Sequence, residues 1–256
     1  MEVTSELLLC LSVGLLAGFM GSLLGIGGGS LTTPILILSG VEPHKAVASS
    51  LVAILGTSTG GIHHLYRRGL VKLKVASILE SASVSGALLG ALLTIRLPST
   101  YVALIVAVAL IISSTLFALI PIEVRRKPLL GLRYAYVLSL TISFCAGFIS
   151  ASAGIGGGVV KMPTLILVLG MGVKEAVATS KLMVGITAGT GALIYGIAGH
   201  IDLFIVLPLT LGTYLGAWSG AKFLVRIKAR YVRLIAIIAY IILSMSLIIR
   251  YVITTH

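Results

Sequence analysis

The sequence predicts an all-α polytopic membrane protein, an inverted-topology tandem repeat in which each unit is a glycine-broken, returning helical element followed by three transmembrane helices. Three observations carry this reading. Of 256 residues, 58% are hydrophobic and 10% charged, which is too little polar surface to cover a soluble globule. At about 20 residues per span the apolar content suffices for roughly six to eight crossings, leaving no room for an appended soluble domain. The apolar runs are also long, continuous and rich in Gly, Ala and Leu, unlike the ~10-residue alternating segments of a membrane β-barrel. Finally, the chain is one unit written twice. AGFMGSLLGIGGGSLTTPILIL from Ala17 matches AGFISASAGIGGGVVKMPTLIL from Ala146 at an offset of 129. After one extra residue near Gly170 the match continues at 130: AVASS from Ala46 against AVATS from Ala176, and SGALLGA from Ser85 against LGAWSGA from Leu215.

The units divide as residues 1–121 and 134–256, joined by a charged linker at 122–133. The first element, Ser5 to Gly40, follows Glu2 and carries Glu6 where a secretory signal would be basic, so it reads as a retained element. It is interrupted at Gly25–Gly29. Spans follow at about Lys45 to Tyr66, Val75 to Ile95 and Tyr101 to Ile120. The second unit repeats the plan: a broken element from Leu132 to Gly172 interrupted at Gly154–Gly158, then spans at about Glu175 to Ala198, Leu203 to Leu224 and Val232 to Tyr251. Gly86 with Gly90, and Gly216 with Gly220, are repeat-related GxxxG pairs expected at close helix contacts. Cys10 and Cys145 lie in apolar runs and read as small buried residues.

Nineteen Lys and Arg against seven Asp and Glu would suggest nucleic acid in a soluble protein; here the excess marks cytoplasmic loops. It falls into three clusters: Arg67, Arg68, Lys72 and Lys74; Arg125, Arg126, Lys127 and Arg133; Lys222, Arg226, Lys228, Arg230 and Arg233. The positive-inside rule places all three on the cytoplasmic side. A broken element and two whole spans separate the second cluster from the third, so both are inside only if the broken element returns to the side it left. Each unit then makes an odd number of crossings, the second unit is inserted upside down, and both termini lie outside. Inverted repeats with discontinuous helices are the architecture in which secondary transporters hold substrate near the midplane.

Glycines at the breaks permit backbone closed to other residues and free N–H and C=O groups from the helical ladder, tolerated at membrane depth only where protein or a water-filled cavity meets them. A helix resuming after them, with Pro34 or Pro163 in its first turns, directs its positive dipole end at the turn. Such an end suits an anion. The alternative is a pair of tight packing turns.

GIGGG followed by a proline, then AVASS or AVATS at the next helix start, duplicated in a chain of this length, resembles the TauE/SafE sulfite-exporter family over essentially the whole sequence. The resemblance implies a bacterial or archaeal inner-membrane permease for sulfite, a sulfonate or another small organic anion, and not an enzyme. Carried over by motif, the implied substrate site is Gly27, Gly28, Gly29 and Pro34 with Ser49 and Ser50, and Gly156, Gly157, Gly158 and Pro163 with Thr179 and Ser180.

The residues themselves add two cations. Lys161 and Lys181 lie inside apolar segments, where an ammonium costs about 2.5–3.5 kcal/mol on insertion scales and usually faces a cavity with a partner; the first unit has Thr32 and Leu51 at the matching places. The expected site is therefore asymmetric and cationic, unless the lysines snorkel to an interface. Ser and Thr hydroxyls near the helix starts can donate to an oxyanion or bond a backbone carbonyl. Glu80, inside its span with Thr210 at the matching place, is expected to snorkel toward the nearby basic loop; a proton carrier or a counter-ion for a lysine are the alternatives. His63 and His64 are a weaker candidate for a titrating role.

The leading function is thus a secondary transporter of a small sulfur oxyanion or sulfonate, held at the paired breaks. An ion channel with a glycine-carbonyl filter is the alternative. An intramembrane enzyme lacks any nucleophile–base pair, H-E-x-x-H or paired carboxylates. No cofactor and no metal are expected. The expected partners are a small anionic substrate and membrane lipid, with a homodimer left open and no nucleic acid.

Overall fold

A computed structural model describes residues 3–119, 131–223 and 229–253. Among these residues ten helices follow in order: α1 Val3–Leu24, α2 Gly29–Leu38, α3 Pro43–Arg67, α4 Leu73–Thr94, α5 Ser99–Leu119, α6 Leu132–Ala153, α7 Gly158–Leu167, α8 Val173–Ile197, α9 Leu203–Phe223 and α10 Ala229–Ile248, the last running into a π-helical turn at Ile249–Ile253. No strand occurs among the described residues. Among the described residues eight helices are long and apolar enough to cross a membrane, and the two 10-residue helices, α2 and α7, follow the glycine breaks. Residues 120–130, which include most of the 122–133 linker, and Arg226 and Lys228 of the third basic cluster lie outside the described residues.

The sequence punctuates these helices. Pro43 opens α3 at the first helical position, where its missing N–H has no helical partner to lose. Gly69 and Gly199, repeat-related residues at φ 68° and 79°, close α3 and α8: Leu70 N–H reaches back to Leu65 O (3.3 Å) and His200 N–H to Tyr195 O (3.0 Å), bonds that turn the chain out of the helix. Arg250 donates to the Ile37 and Leu38 carbonyls at the end of α2 (3.1 and 2.6 Å), satisfying terminal acceptors with a cation that suits the negative dipole end.

Packing exchanges elements between the units. α1 of the first unit lies along α9 of the second, and α6 of the second along α4 of the first. The GxxxG pairs make both contacts. A Cβ on Gly220 would stand 2.7 Å from Phe19 O, and one on Gly90 would run into Phe148 O; the backbones approach because nothing projects between them. Both contacts are parallel, since Leu11, Leu15 and Phe19 meet Gly212, Gly216 and Gly220 in turn, and Phe144 and Phe148 meet Gly86 and Gly90.

The equivalent helices α3 and α8 pack on each other in antiparallel fashion. Lys45 at the start of α3 pairs with Asp202 beyond the end of α8 (3.6 Å), while Lys72 beyond the end of α3 pairs with Glu175 at the start of α8 (2.8 Å). These two ion pairs are repeat-related, with the charges exchanged. Cys10 is buried as expected, but Cys145 is exposed: it sits on a face of α6 turned away from α4 and the core.

Candidate functional site

Each glycine break turns the chain back on itself. Gly28 and Gly157, which precede α2 and α7, have φ of 76° and 64°, left-handed values open to glycine at little cost. A Cβ on Gly28 would lie 2.6 Å from Ala17 O, and one on Gly157 would lie 2.9 Å from Ala146 O. The second half of the element thus restarts beside residues three turns upstream, so the element doubles back. α2 and α7 begin with bonds to the break: Leu31 and Thr32 N–H donate to Gly28 O, and Val160 and Lys161 N–H to Gly157 O. Pro34 and Pro163 fall in the second turn of these helices and leave the Ser30 and Val159 carbonyls without their i+4 donors.

The two breaks touch. A Cβ on Gly158 would stand 2.6 Å from Ile26 Cα and 2.7 Å from Gly25 O, and Gly29 makes the reciprocal approach to Gly154 and Ile155. Ile54 of α3 and Val184 of α8, repeat-related and fully buried, are wedged between the glycines: Ile54 meets Gly27, Gly29 and Gly156, and Val184 meets Gly27, Gly156 and Gly158. Gly27, Gly28, Gly29, Gly156, Gly157 and Gly158 thus form one cluster at the centre of the bundle, closed by two aliphatic side chains that sequence reasoning did not single out.

Hydroxyls lock this centre by exchange. Ser50 donates to Gly154 O (3.1 Å) and Ser180 to Gly25 O (2.9 Å), each reaching across to the other unit's break. Thr33 also donates to Gly154 O (3.0 Å), and Thr32 bonds Ser50. In this conformation the Ser50 and Ser180 protons are engaged by carbonyls, the role the sequence left as the alternative to binding an oxyanion. Thr179 accepts the Lys72 N–H (3.0 Å) and ties the α3–α4 loop to α8. Its counterpart Ser49 is fully buried, and its hydroxyl has no hydrogen-bond partner among the described residues.

The lysines are both buried, with exposures of 1% for Lys161 and 0% for Lys181, so neither snorkels. Their surroundings differ. Lys161 Nζ donates to Glu80 Oε1 (2.6 Å), to Thr187 and, at 3.4 Å, to Met183 O. Thr187 in turn donates to Glu80 Oε2 (2.7 Å) and accepts from Ser83 (2.9 Å). All three ammonium hydrogens and both carboxylate oxygens are engaged. Glu80, 4% exposed, does not reach the basic loop as expected; it is the counter-ion. An apolar interior makes that pairing compulsory, because an isolated buried charge is far more costly than a pair.

Lys181 has no carboxylate partner among the described residues. Its Nζ donates to Ser22 Oγ (2.5 Å) in the last turn of α1, and Ser22 donates onward to Ala217 O (3.0 Å). Gly61 of α3 leaves the space in which the ammonium sits. The repeat-related place is apolar, with Leu51, Ala151 and Gly191 in the same mutual contact. Ser180, next to Lys181, bonds Gly25, so this ammonium lies beside the first break. The cationic character expected of two lysines therefore rests on Lys181 alone. His63 is exposed, and the side chain of His64 lies outside the described residues.

A bundle of apolar spans with two half-length helices meeting at a polar, glycine-lined centre is the build of a membrane transporter. Residues 10–247 match the model of the family "Sulfite exporter TauE/SafE", and the chain belongs to that family. Its relatives include probable membrane transporter proteins YunE of Bacillus subtilis (27% identical, covering 92% of this chain and 95% of the relative), YfcA of Escherichia coli K12 (26%, 92% and 87%) and ORF9 of a Sinorhizobium species (28%, 91% and 88%). The protein is a multi-pass membrane permease of this type, not an enzyme.

Proposed function

We propose that the protein is a secondary transporter that carries a small sulfur oxyanion or sulfonate across the cytoplasmic membrane, with the anion received by Lys181 at the first glycine break. The observation that carries this reading is the Lys181 ammonium: fully buried, bonded to Ser22 three residues before the first glycine break, with that single hydroxyl as its hydrogen-bond partner among the described residues. A charge so placed is costly when empty and gains most from an anionic guest. The helix starts at Gly29 and Gly158 direct positive dipole ends toward the same centre, and Ile54 with Val184 would have to part for the guest to reach both breaks. The family description names sulfite, and a sulfonate offers the same three-oxygen head. A carbonyl filter for cations is less well supported, because the Gly25 and Gly154 carbonyls already accept from Ser180, Ser50 and Thr33.

The units are inserted in opposite senses, with both termini outside and the basic loops in the cytoplasm; the antiparallel pairing of α3 with α8 supports this. Alternating access then follows from rocking one unit against the other around the shared centre. The test is a thermal-shift screen of purified protein against sulfite, sulfate, thiosulfate, sulfoacetate and taurine. A ligand of the folded state raises its melting temperature, so at least one anion should stabilise the wild type and lose most of that effect in Lys181→Met. No stabilisation by any of them, or an equal effect in both proteins, overturns the reading.

A further inference from the structure

The Glu80–Lys161 pair has no counterpart in the other half of the fold. Glu80 and Lys161 correspond by the repeat to Thr210 and Thr32, while Thr187 and Ser83 correspond to Thr57 and Thr213. The same backbone plan therefore closes around four hydroxyls on one side and around an ion pair with two hydroxyls on the other. Packing does not demand the charges, and a buried ion pair is on average no more stable than neutral groups of similar volume. Their presence calls for a task that hydroxyls cannot perform.

The placement indicates the task. Glu80 is the one buried carboxylate inside a span among the described residues; Glu42, Glu175 and Asp202 sit at helix ends. It is held on α4 of the first unit, and its partners stand on α7 and α8 of the second. Lys161 is one turn past the Gly156–Gly158 break, on the half-helix that starts there. Among the described residues the only ionisable group facing Glu80 is Lys161; Thr187 from α8 and Ser83 from its own helix supply hydroxyls, and α6, packed along α4, brings no charge to the network.

We propose that Glu80 is a proton-binding site and that the protein carries its anion together with a proton. This rests on the anion reading above. A proton taken from water on one side converts the Glu80 carboxylate to the neutral acid; no other bond forms or breaks. Lys161 then loses its counter-charge and becomes a second buried ammonium, on the half-helix that borders the breaks. The anion replaces the missing negative charge, so each of the two guests makes the other's binding more favourable, and the coupling is reciprocal. When the anion leaves on the far side the proton leaves with it and the Glu80–Lys161 pair re-forms. An empty carrier with the pair intact has no such second cation, which favours movement of anion and proton as a unit.

The test uses purified full-length protein in liposomes with a trapped pH dye and inward gradients of sulfate, thiosulfate or methanesulfonate. These anions do not change protonation near neutral pH, so any acidification reports a carried proton. Wild type should acidify the lumen in step with anion entry, and anion affinity measured in detergent should rise by up to about tenfold per unit fall in pH across the titration range, the limit for one proton per anion. Glu80→Gln should abolish both the acidification and the pH dependence. Because that variant strands Lys161, Glu80→Thr with Lys161→Thr, which writes in the hydroxyls of the other half, is measured beside it; its residual anion binding should be independent of pH. Anion entry without acidification in wild type, or a pH dependence that survives in both variants, overturns the proton site and leaves the anion reading standing. Failure of wild type to move any of the three anions removes the anion reading, and the proton inference with it.

Discussion

Two lysines of similar sequence context end in opposite circumstances. Lys161 is matched group for group by Glu80, Thr187 and Met183 O, whereas Lys181 holds only Ser22. Stability should report the difference. Lys161→Met strands a buried carboxylate and should cost about 3–5 kcal/mol, the range for removing one member of a buried pair. Adding Glu80→Gln should restore most of that loss, and melting of the single and double variants in detergent tests it; a double variant no more stable than the single would mean the two charges do not answer each other. Lys181→Met should do the reverse, raising the melting temperature of the empty protein because an ammonium without a counter-charge leaves the interior. In the same variant anion affinity should fall about ten- to a hundredfold, corresponding to roughly 1.5–3 kcal/mol for hydrogen bonds to a charged group. Unchanged affinity in that preparation would show that backbone and hydroxyls alone hold the anion.

At the scale of elements, glycines divide by what lies in front of them. Gly90 faces the Phe148 carbonyl of α6, a rigid neighbour that a Cβ would strike, while Gly189 faces only the tip of Leu55 at 3.4 Å, beside a cavity of about 630 Å3 lined by Val52, Leu55 and Leu193. Gly90→Ala should therefore force α4 and α6 apart and destabilise, whereas Gly189→Ala should stabilise by about 0.5–1 kcal/mol through helix propensity; comparing the two melting temperatures tests the packing directly. Helix ends offer a second check. His44 and His200 stack at 5.0 Å, and His44 donates to Glu42 (2.9 Å), joining the start of α3 to the α8–α9 loop. Burial holds the His200 imidazole below the ordinary histidine value, with the His44 ring adding to the effect. A lowered folded value means the unfolded chain binds the proton more readily, so this contact is intact above about pH 6.5 and weakens as pH falls through the folded value. His200→Gln should flatten that acid limb of the melting curve, and an unaltered limb would exclude His200 as its source. The helices and the breaks were readable in the sequence because hydropathy, glycine and proline are local signals. The wedge of Ile54 and Val184 was not, since nothing distinguishes one core aliphatic from another until the elements are assembled. Glu80 was readable only by elimination: one acid and two lysines inside apolar spans must find company, but which lysine depends on how α4 meets α7.

The whole molecule is organised by exchange between two halves that differ in charge. Ser50 and Ser180 swap carbonyls across the centre, α1 and α6 swap packing partners, and the end pairs Lys45–Asp202 and Lys72–Glu175 repeat with the signs reversed. In a 25-residue helix such as α3, at 1.5 Å per residue, those end pairs lie about 37 Å apart, enough to place them at opposite membrane surfaces. Lys72 belongs with Arg67, Arg68 and Lys74 to the first basic cluster, so the Lys72–Glu175 end is assigned to the cytoplasm by the positive-inside rule and the Lys45–Asp202 end to the outside. On the proposed orientation each loop has an expected side. Single cysteines placed near Arg126 and Lys228, in a background from which Cys10 and the exposed Cys145 have been removed, should react with an impermeant maleimide only when the cytoplasmic face is accessible. A cysteine at Arg96, beyond the other end of α4, should react from outside in intact cells. Labelling of the Arg126 and Lys228 positions from opposite sides would require the broken elements to cross the membrane fully. The two units would then share one orientation, and the alternating-access scheme built on their inversion would fail.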